Sequence, residues 1–127
     1  MAAEPLLVPL DGLTVRLSHL PAERRYVAEL VTPQGNDWHA HGRVGFASYV
    51  DSGHPDHDAA DAGSDPTAER TFDHTVTHHR YEGKGIAAAL VRYALDDTVA
   101  AGFRIVPVCS YVVSFVRDHP DWDSHLA

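Results

Sequence analysis

The sequence predicts an α/β fold of the α+β type, a mixed, mostly antiparallel sheet with helices packed on it. Three observations support this prediction. Short runs of alternating polar and apolar residues fill the first 50 residues, as in the strands of a meander. A strand-like run then leads through Gly-x-Gly into a helix-like run, and another apolar run follows that helix. The length of 127 residues and the hydrophobic content of 44% fit one globular domain spanning residues 1–127.

The first half of the chain predicts the strands of an antiparallel meander. Residues 1–12 are expected to be a short, loose N-terminus, and a first strand starts at Thr14–Leu17. Arg25–Val31 alternates as a second strand, turn-forming residues follow at 33–37, and Arg43–Val50 is the returning strand.

Residues 51–69 interrupt this pattern. Asp, His, Pro, Gly and Ala dominate the segment, which contains almost no large apolar side chain. Because it offers too little apolar surface to offset the entropy of ordering, we expect a mobile acidic loop between two strands.

The second half predicts a strand–helix–strand unit and a last helix. The elements are, in order, a strand at Thr71–Thr77, a helix from Lys84 to Ala101, a strand at Phe103–Val108 and a helix at Tyr111–Arg117. Gly102 is placed to end the first helix, and Ser110 to cap the second. Pro107 removes one ladder hydrogen bond from the strand between them.

Composition narrows the class of function. The net charge of −8 argues against nucleic-acid binding and is consistent with a cationic acceptor such as an amine. The single cysteine, Cys109, excludes an internal disulfide and a Cys-rich zinc site. No charged-then-apolar leader opens the sequence, and Arg92 interrupts its longest apolar run, so we expect a cytoplasmic location without membrane attachment.

The turn Arg80-Tyr81-Glu82-Gly83-Lys84-Gly85 carries the clearest chemical signal. A strand that enters a helix through Gly-x-Gly leaves several backbone N–H groups unpaired at the helix start, where the helix dipole adds positive potential. Such a turn is suited to phosphate oxygens. It lacks the longer Gly-rich loop and the Ser/Thr of a nucleotide P-loop.

Arg80-x-x-Gly83-x-Gly85 resembles the Arg/Gln-x-x-Gly-x-Gly/Ala signature of the GNAT superfamily of N-acetyltransferases. More narrowly, four motifs resemble its short, single-domain YjdJ-type branch: Phe72–Val76, Gly83–Ala87 with Leu90-Val91, Pro107-x-Cys109-x-Tyr111 and His119-Pro120. The resemblance covers roughly residues 70–122. It implies a GNAT-like sheet with a strand–helix–strand core that binds acetyl-CoA (coenzyme A) as co-substrate and transfers acetyl to a primary amine of a small molecule or a protein lysine.

The resemblance also implies cofactor-binding positions. Arg80 and the N–H groups of Gly83, Lys84 and Gly85 would hold the pyrophosphate, and Tyr81, Glu82 and Ile86 belong to the same turn. The strand before the turn would pair with the pantetheine arm. A backbone N–H near Thr75 or Val76 would polarise the acetyl carbonyl. Cys109, beside the slot that Pro107 is expected to open, completes the set.

Three side chains are candidates for proton handling or covalent catalysis. Cys109 lies between a strand and a helix start, where the dipole favours a thiolate, and is either a nucleophile or a packed thiol. Tyr111 is either an acid or a packed aromatic residue. His74 is expected on the strand face of Phe72 and Val76, as a base or a hydrogen-bonded core histidine.

The histidine spacings, the acceptor, the catalytic activity and the oligomeric state each allow more than one interpretation. His39-Ala40-His41 and His54-x-x-His57-Asp58 have spacings that a metal can use, but we expect no native metal site, because the second set lies in a loop. The elements that shape the acceptor pocket of larger GNAT enzymes are reduced in the N-terminal and C-terminal parts of this sequence. The sequence therefore does not identify the acceptor. The alternative function is a coenzyme A or acyl-CoA binding module with little catalysis of its own. A monomer and a homodimer are both compatible with the sequence.

Overall fold

A computed structural model describes residues 4–53 and 68–127. Its strands are β1 (Leu6–Leu10), β2 (Leu13–Leu20), β3 (Arg25–Gln34), β4 (Asp37–Ser52), β5 (Glu69–Thr77) and β6 (Arg104–Pro107). Its α-helices are α1 (Ile86–Ala100) and α2 (Ser110–Asp118), and short 3₁₀ turns span Pro21–Glu23, His79–Tyr81 and Pro120–His125.

The six strands form one sheet in sequence order. The first five pair antiparallel, and β6 pairs parallel with β5 after the crossover through α1. The predicted mixed, mostly antiparallel α+β fold is therefore confirmed. The mobile loop predicted for residues 51–69 falls largely outside the described residues, at 54–67, while Asp51 and Ser52 belong to β4 and Glu69 to β5.

Helix α1 packs its apolar stripe on one face of the sheet. Its buried side chains include Ile86, Leu90 and Leu95, and they join Tyr26 of β3 and Phe72 of β5 in a single core. Burial of one such face against the sheet holds the crossover in place. The helix begins two residues later than predicted, at Ile86, because Gly85 has a left-handed φ of 88°.

The N-terminus is more ordered than predicted. Residues 6–10 form an edge strand, joined to β2 through Asp11 and Gly12, whose φ angles of 46° and 80° make a tight hairpin turn. Val8 and Leu10 pack against the core, which explains why this short apolar segment is a strand and not a loose end.

A β-bulge at Asp73 changes which side chains of β5 share a face. Phe72 pairs with Tyr49 and His74 with Ser48, which leaves Asp73 as an extra residue in the ladder. Phe72 is consequently buried while His74 and Val76 are exposed. The prediction that Phe72, His74 and Val76 share one face is wrong, because the extra residue reverses the alternation.

The C-terminal residues pack beside β6, the edge strand of the sheet. The N-cap of α2 is Cys109, whose sulfur accepts the Val112 N–H, and not Ser110 as predicted. Trp122 is buried, and its indole N–H donates to Asp96 of α1 at 3.2 Å. Leu126 forms a bridge to Ile105, so the last residues cover the outer edge of β6.

A buried polar cluster joins the C-terminal part of α1 to four strands. It consists of His19, Tyr26, Tyr49, Asp51, Arg70 and Asp97. Arg70 donates to both carboxylate oxygens of Asp51, at 2.7 and 2.9 Å, and to the hydroxyl of Tyr26 at 2.6 Å. The Tyr26 hydroxyl donates in turn to Asp97 at 2.6 Å. These bonds fix the helix to the sheet at the end opposite the Gly-x-Gly turn.

Candidate active site

A pocket of about 440 Å³ lies between the end of β5, the start of α1 and the start of α2. It is lined by Thr75, Thr77, Tyr81, Glu82, Gly83, Gly85, Ile86, Ala87, Ala88 and Tyr111. Residues separated by more than 30 positions in the sequence thus meet just beyond the end of the parallel pairing between β5 and β6. Pockets of this size bind small molecules and cofactors.

The turn at the pocket wall presents unpaired backbone donors. Gly83 and Gly85 adopt left-handed φ angles of 79° and 88°, and no side chain caps α1. The first intrahelical bond runs from the Ala89 N–H to the Gly85 carbonyl, so the preceding N–H groups of the helix have no partner of that kind. A Cβ added at Gly83 would meet nothing within 4 Å, which shows open space directly above the turn. This arrangement favours an anionic group, since it combines N–H donors with the positive end of the helix dipole.

The second wall is the free edge of β5. The pairing between β5 and β6 ends at Phe72 and Pro107, and the N–H groups of Val108 and Cys109 both donate to the Phe72 carbonyl, at 3.2 and 3.0 Å. Beyond this point β5 continues to Thr77 without a partner strand on that side among the described residues. The strand β6 thus leaves β5 at Pro107, the position where the sequence predicts the slot.

The ladder with β4 decides which backbone groups of β5 face the slot. His78 donates to the Val44 carbonyl at 2.7 Å, and the Val76 carbonyl lies against Gly45, so both residues point their polar groups towards β4. Because these directions alternate along a strand, Thr75 and Thr77 point their N–H and C=O groups towards the open side. Of the two predicted oxyanion donors, the geometry favours Thr75 over Val76.

Tyr111 and Cys109 approach the pocket from the start of α2. Tyr111 lines the pocket with 37% of its surface exposed, and partial burial raises the pKa of its phenol, which keeps it protonated at neutral pH. Cys109 does not line the pocket, but its sulfur lies 3.3 Å from the hydroxyl oxygen of Thr75, which does.

Besides Cys109, four predicted site residues are not among those that line the pocket. His74 and Val76 are exposed on the face of the sheet opposite α1, because the bulge at Asp73 reverses the alternation of side chains along β5. Arg80 is exposed in the 3₁₀ turn, where its backbone N–H donates to His78. The Lys84 ammonium pairs with the carboxylate of Asp11 at 3.2 Å and does not line the pocket.

Three lining residues were not predicted. Thr77 follows Thr75 at the two-residue period of a strand, so the alternation itself contains this signal. Ala87 and Ala88 form the first turn of α1, and their small side chains leave room beside the backbone.

The two histidines of β4 have the spacing that a metal can use. His39 and His41 are adjacent in β4, and the His41 ring bonds to the Thr32 hydroxyl at 2.7 Å. Within residues 4–53 and 68–127 no group of three or more His, Cys, Asp or Glu side chains is placed to hold a metal ion. His54, His57 and Asp58 lie outside the described residues.

No helix in the described ranges is both long and apolar enough to cross a membrane.

Comparison with known proteins gives one family. A family model described as GCN5-related N-acetyl-transferase matches residues 37–126, which contain the whole pocket. A search of curated proteins finds no match.

Proposed function

The chain belongs to the GCN5-related N-acetyltransferase family, and from this premise we propose that it transfers the acetyl group of acetyl-CoA to a primary amine. The observation that carries the proposal is the continuity of two features, the unpaired N–H groups of the turn and the free edge of β5. An anionic group at the turn and an extended arm along the strand would occupy both. The resemblance to the short YjdJ-type branch stays a prediction.

The pocket residues fit this co-substrate. The N–H groups at Gly83–Ala88 would donate to pyrophosphate oxygens, with the exposed Arg80 close by in sequence. Thr75 and Thr77 offer backbone groups to the amides of a pantetheine arm. The lining from Ile86 to Ala88 is apolar and would cover its carbon atoms.

The proposed chemistry is direct attack of a neutral amine on the thioester carbon. Acetyl-CoA supplies the acetyl group; a C–N bond forms and the C–S bond breaks. The Thr75 N–H would donate to the carbonyl oxygen as negative charge develops there. The protonated Tyr111 hydroxyl would give its proton to the departing sulfur, and the amine loses one proton to solvent or a base.

The cofactor turn is tested by replacing its glycines. Gly83→Val places a branched side chain in the open space above the turn, while a Cβ added at Gly85 meets Leu10 at 3.6 Å and its left-handed φ strains the turn. We expect both variants to lower acetyl-CoA affinity at least tenfold by calorimetry on folded protein. Gly35→Val is the matched control, because Gly35 also has a left-handed φ, 61°, and no neighbour within 4 Å of an added Cβ, but does not line the pocket. Equal affinity in all three variants would contradict the assignment of the turn.

Two alternative roles are proposed for Cys109, and they predict different results. A covalent role predicts that wild-type protein gains one acetyl group without an acceptor, and that Cys109→Ser binds acetyl-CoA but loses most turnover. A lining role predicts no adduct, and unchanged binding and rate in Cys109→Ala. Intact-mass measurement after mixing with acetyl-CoA, beside the rates of the variants, distinguishes them. If Cys109 only lines the slot, Tyr111 is the better candidate for the acid.

The second candidate function is a coenzyme A or acyl-CoA binding module without catalysis. The observation that favours it is that His74, the predicted base, does not line the pocket, whose one lining carboxylate is that of Glu82, an exposed residue of the cofactor turn. Turnover assayed against a panel of mono- and polyamines and lysine peptides, compared with calorimetric binding, separates the two. Tight binding without turnover on any amine would favour the module.

A further inference from the structure

The hairpin turn between β1 and β2 lies against the Gly-x-Gly turn, which is far from it in the sequence. The Asp11 carboxylate accepts a hydrogen bond from the Lys84 ammonium at 3.2 Å, across a separation of 73 residues. A Cβ added at Gly85 would lie 3.6 Å from the Leu10 side chain, so an apolar approach accompanies the ion pair. A negative charge is therefore fixed beside the candidate anion site.

We propose that Asp11 limits the affinity of the turn for its anion by competing with that anion for the Lys84 ammonium. In the free protein the carboxylate holds the ammonium. When coenzyme A binds, its phosphate oxygens take the ammonium over, and the carboxylate is left to solvent. The inference rests on the proposed function, in which the turn binds the pyrophosphate, and deepens it by naming a residue that sets the strength of this binding.

Lys84 is placed to exchange one partner for the other. It stands between Gly83 and Gly85, and the space above Gly83 is open. A lysine ammonium is a compact charge on a flexible four-carbon stem, so it can turn towards either anion. The pair is also accessible to solvent, with 35% of the Lys84 side chain and 67% of the Asp11 side chain exposed. Such an exposed pair adds little to stability, so its exchange for a phosphate partner costs little.

The backbone of the hairpin does not require a carboxylate at position 11. Asp11 has a left-handed φ of 46°, a conformation that Asn and Gly adopt as readily without the charge. A purely structural role for the ion pair predicts that its loss loosens the turn and weakens binding. Competition predicts the opposite sign, because removal of the carboxylate frees the Lys84 ammonium for the ligand and removes a repulsive charge.

The test measures coenzyme A affinity by calorimetry in a double-mutant cycle of Asp11→Asn and Lys84→Gln. We expect Asp11→Asn to bind coenzyme A about twofold to fivefold more tightly at low ionic strength, the size of an exposed ion pair, and the gain to shrink at high ionic strength. The same substitution in the Lys84→Gln background should give a clearly smaller gain, since the shared partner is gone.

Asp123→Asn is the matched control. It removes the same charge from an exposed residue next to Trp122, whose indole contacts Asp96 in the C-terminal half of α1, away from the turn. Its coenzyme A affinity should equal that of wild type at both ionic strengths. If Asp11→Asn does not fold by circular dichroism, Asp11→Gly takes its place in the cycle, because glycine favours the left-handed φ.

The outcomes separate this inference from the proposed function. Weaker or unchanged binding in the Asp11 variant, or an equal gain with and without the Lys84 side chain, would overturn the competition. Absence of turnover with every amine, beside the expected gain in affinity, would refute the transferase function and leave the competition supported. A wild-type protein that does not bind coenzyme A would contradict both.

Discussion

Arg70 is a buried cation whose partners come from three different elements. Burial alone would lower its pKa, but its hydrogen bonds to Asp51 and its contacts with Tyr26 hold the pKa above the ordinary value. Arg70→Ala leaves Asp51 and Asp97 without this partner, and removal of one member of a buried pair costs about 3–5 kcal/mol. We expect a loss of that size in the free energy of unfolding, measured by urea titration.

A surface pair provides the comparison for Arg70. Arg43 donates to both oxygens of Glu23, at 2.8 and 3.0 Å, but both side chains are almost half exposed. Solvent screens such a pair, so Arg43→Ala should change the urea midpoint little. Equal losses in Arg70→Ala and Arg43→Ala would show that the buried polar cluster contributes no more than a surface ion pair.

His19 makes the stability of the protein dependent on pH. Its ring stacks on Tyr26 at 4.2 Å, and Nδ1 lies 3.2 Å from an Asp97 oxygen but outside hydrogen-bond geometry. Burial lowers the pKa of His19, against the opposing effect of Asp97. The unfolded chain therefore binds a proton on His19 before the folded protein does, and stability falls as the pH decreases below about 6.5, the ordinary histidine value.

Variants test this dependence. His19→Gln should lower the melting temperature at pH 7.5 and reduce the further loss between pH 7 and pH 5. His39→Gln, at an exposed position on β4, should keep the wild-type slope. A wild-type slope in His19→Gln would assign the acid sensitivity to other groups.

The N-terminus of α2 depends on the same cysteine that lies beside the pocket. Because the Cys109 sulfur caps the Val112 N–H, Cys109→Ala should destabilise the protein by about 1 kcal/mol, the usual contribution of an N-cap. Cys109→Ser retains a capping oxygen and should keep or raise stability by thermal melting. A loss of activity in Cys109→Ala alone would therefore reflect the helix start as well as the chemistry.

Elements with strong periodicity were predictable, and those set by tertiary contact were not. The helix predicted at Lys84–Ala101 and the strand predicted at Arg25–Val31 are both correct in type. Helix α1 spans Ile86–Ala100, while β3 continues to Gln34, into the predicted turn. The strand β1 has no polar alternation of its own and is formed by packing of Val8 and Leu10. The bulge at Asp73 is a property of the pairing with β4, and no local signal marks it.

The pocket residues likewise divide into those with a local sequence signal and those placed by long-range contacts. Gly83 and Gly85 carry a local signal, since their left-handed conformations and the absent cap follow from residue type. The positions of His74, Val76 and Lys84 depend on long-range register and on Asp11, 73 residues away from Lys84. A sequence motif therefore identified the turn, whereas the faces of β5 required the three-dimensional pairing.

Helix α1 connects the pocket to the rest of the molecule, because its first turn forms the candidate anion site and Asp97 near its end joins the buried polar cluster. Binding at one end should consequently stabilise the whole domain. If acetyl-CoA binds only the folded state, a concentration of a hundred times Kd adds about 2.7 kcal/mol, which for a domain of this size raises the melting temperature by roughly 10 °C.

Coenzyme A should give a similar rise, since it shares the pyrophosphate and the pantetheine arm, while inorganic phosphate at the same concentration should give almost none. Gly85→Val should lose the rise and Gly35→Val should keep it, each compared with its own melting temperature without ligand. The size of the rise must also agree with the Kd from calorimetry through the same linkage relation. An unchanged melting temperature in wild type at saturating acetyl-CoA would contradict binding at the turn, whatever reaction the protein performs.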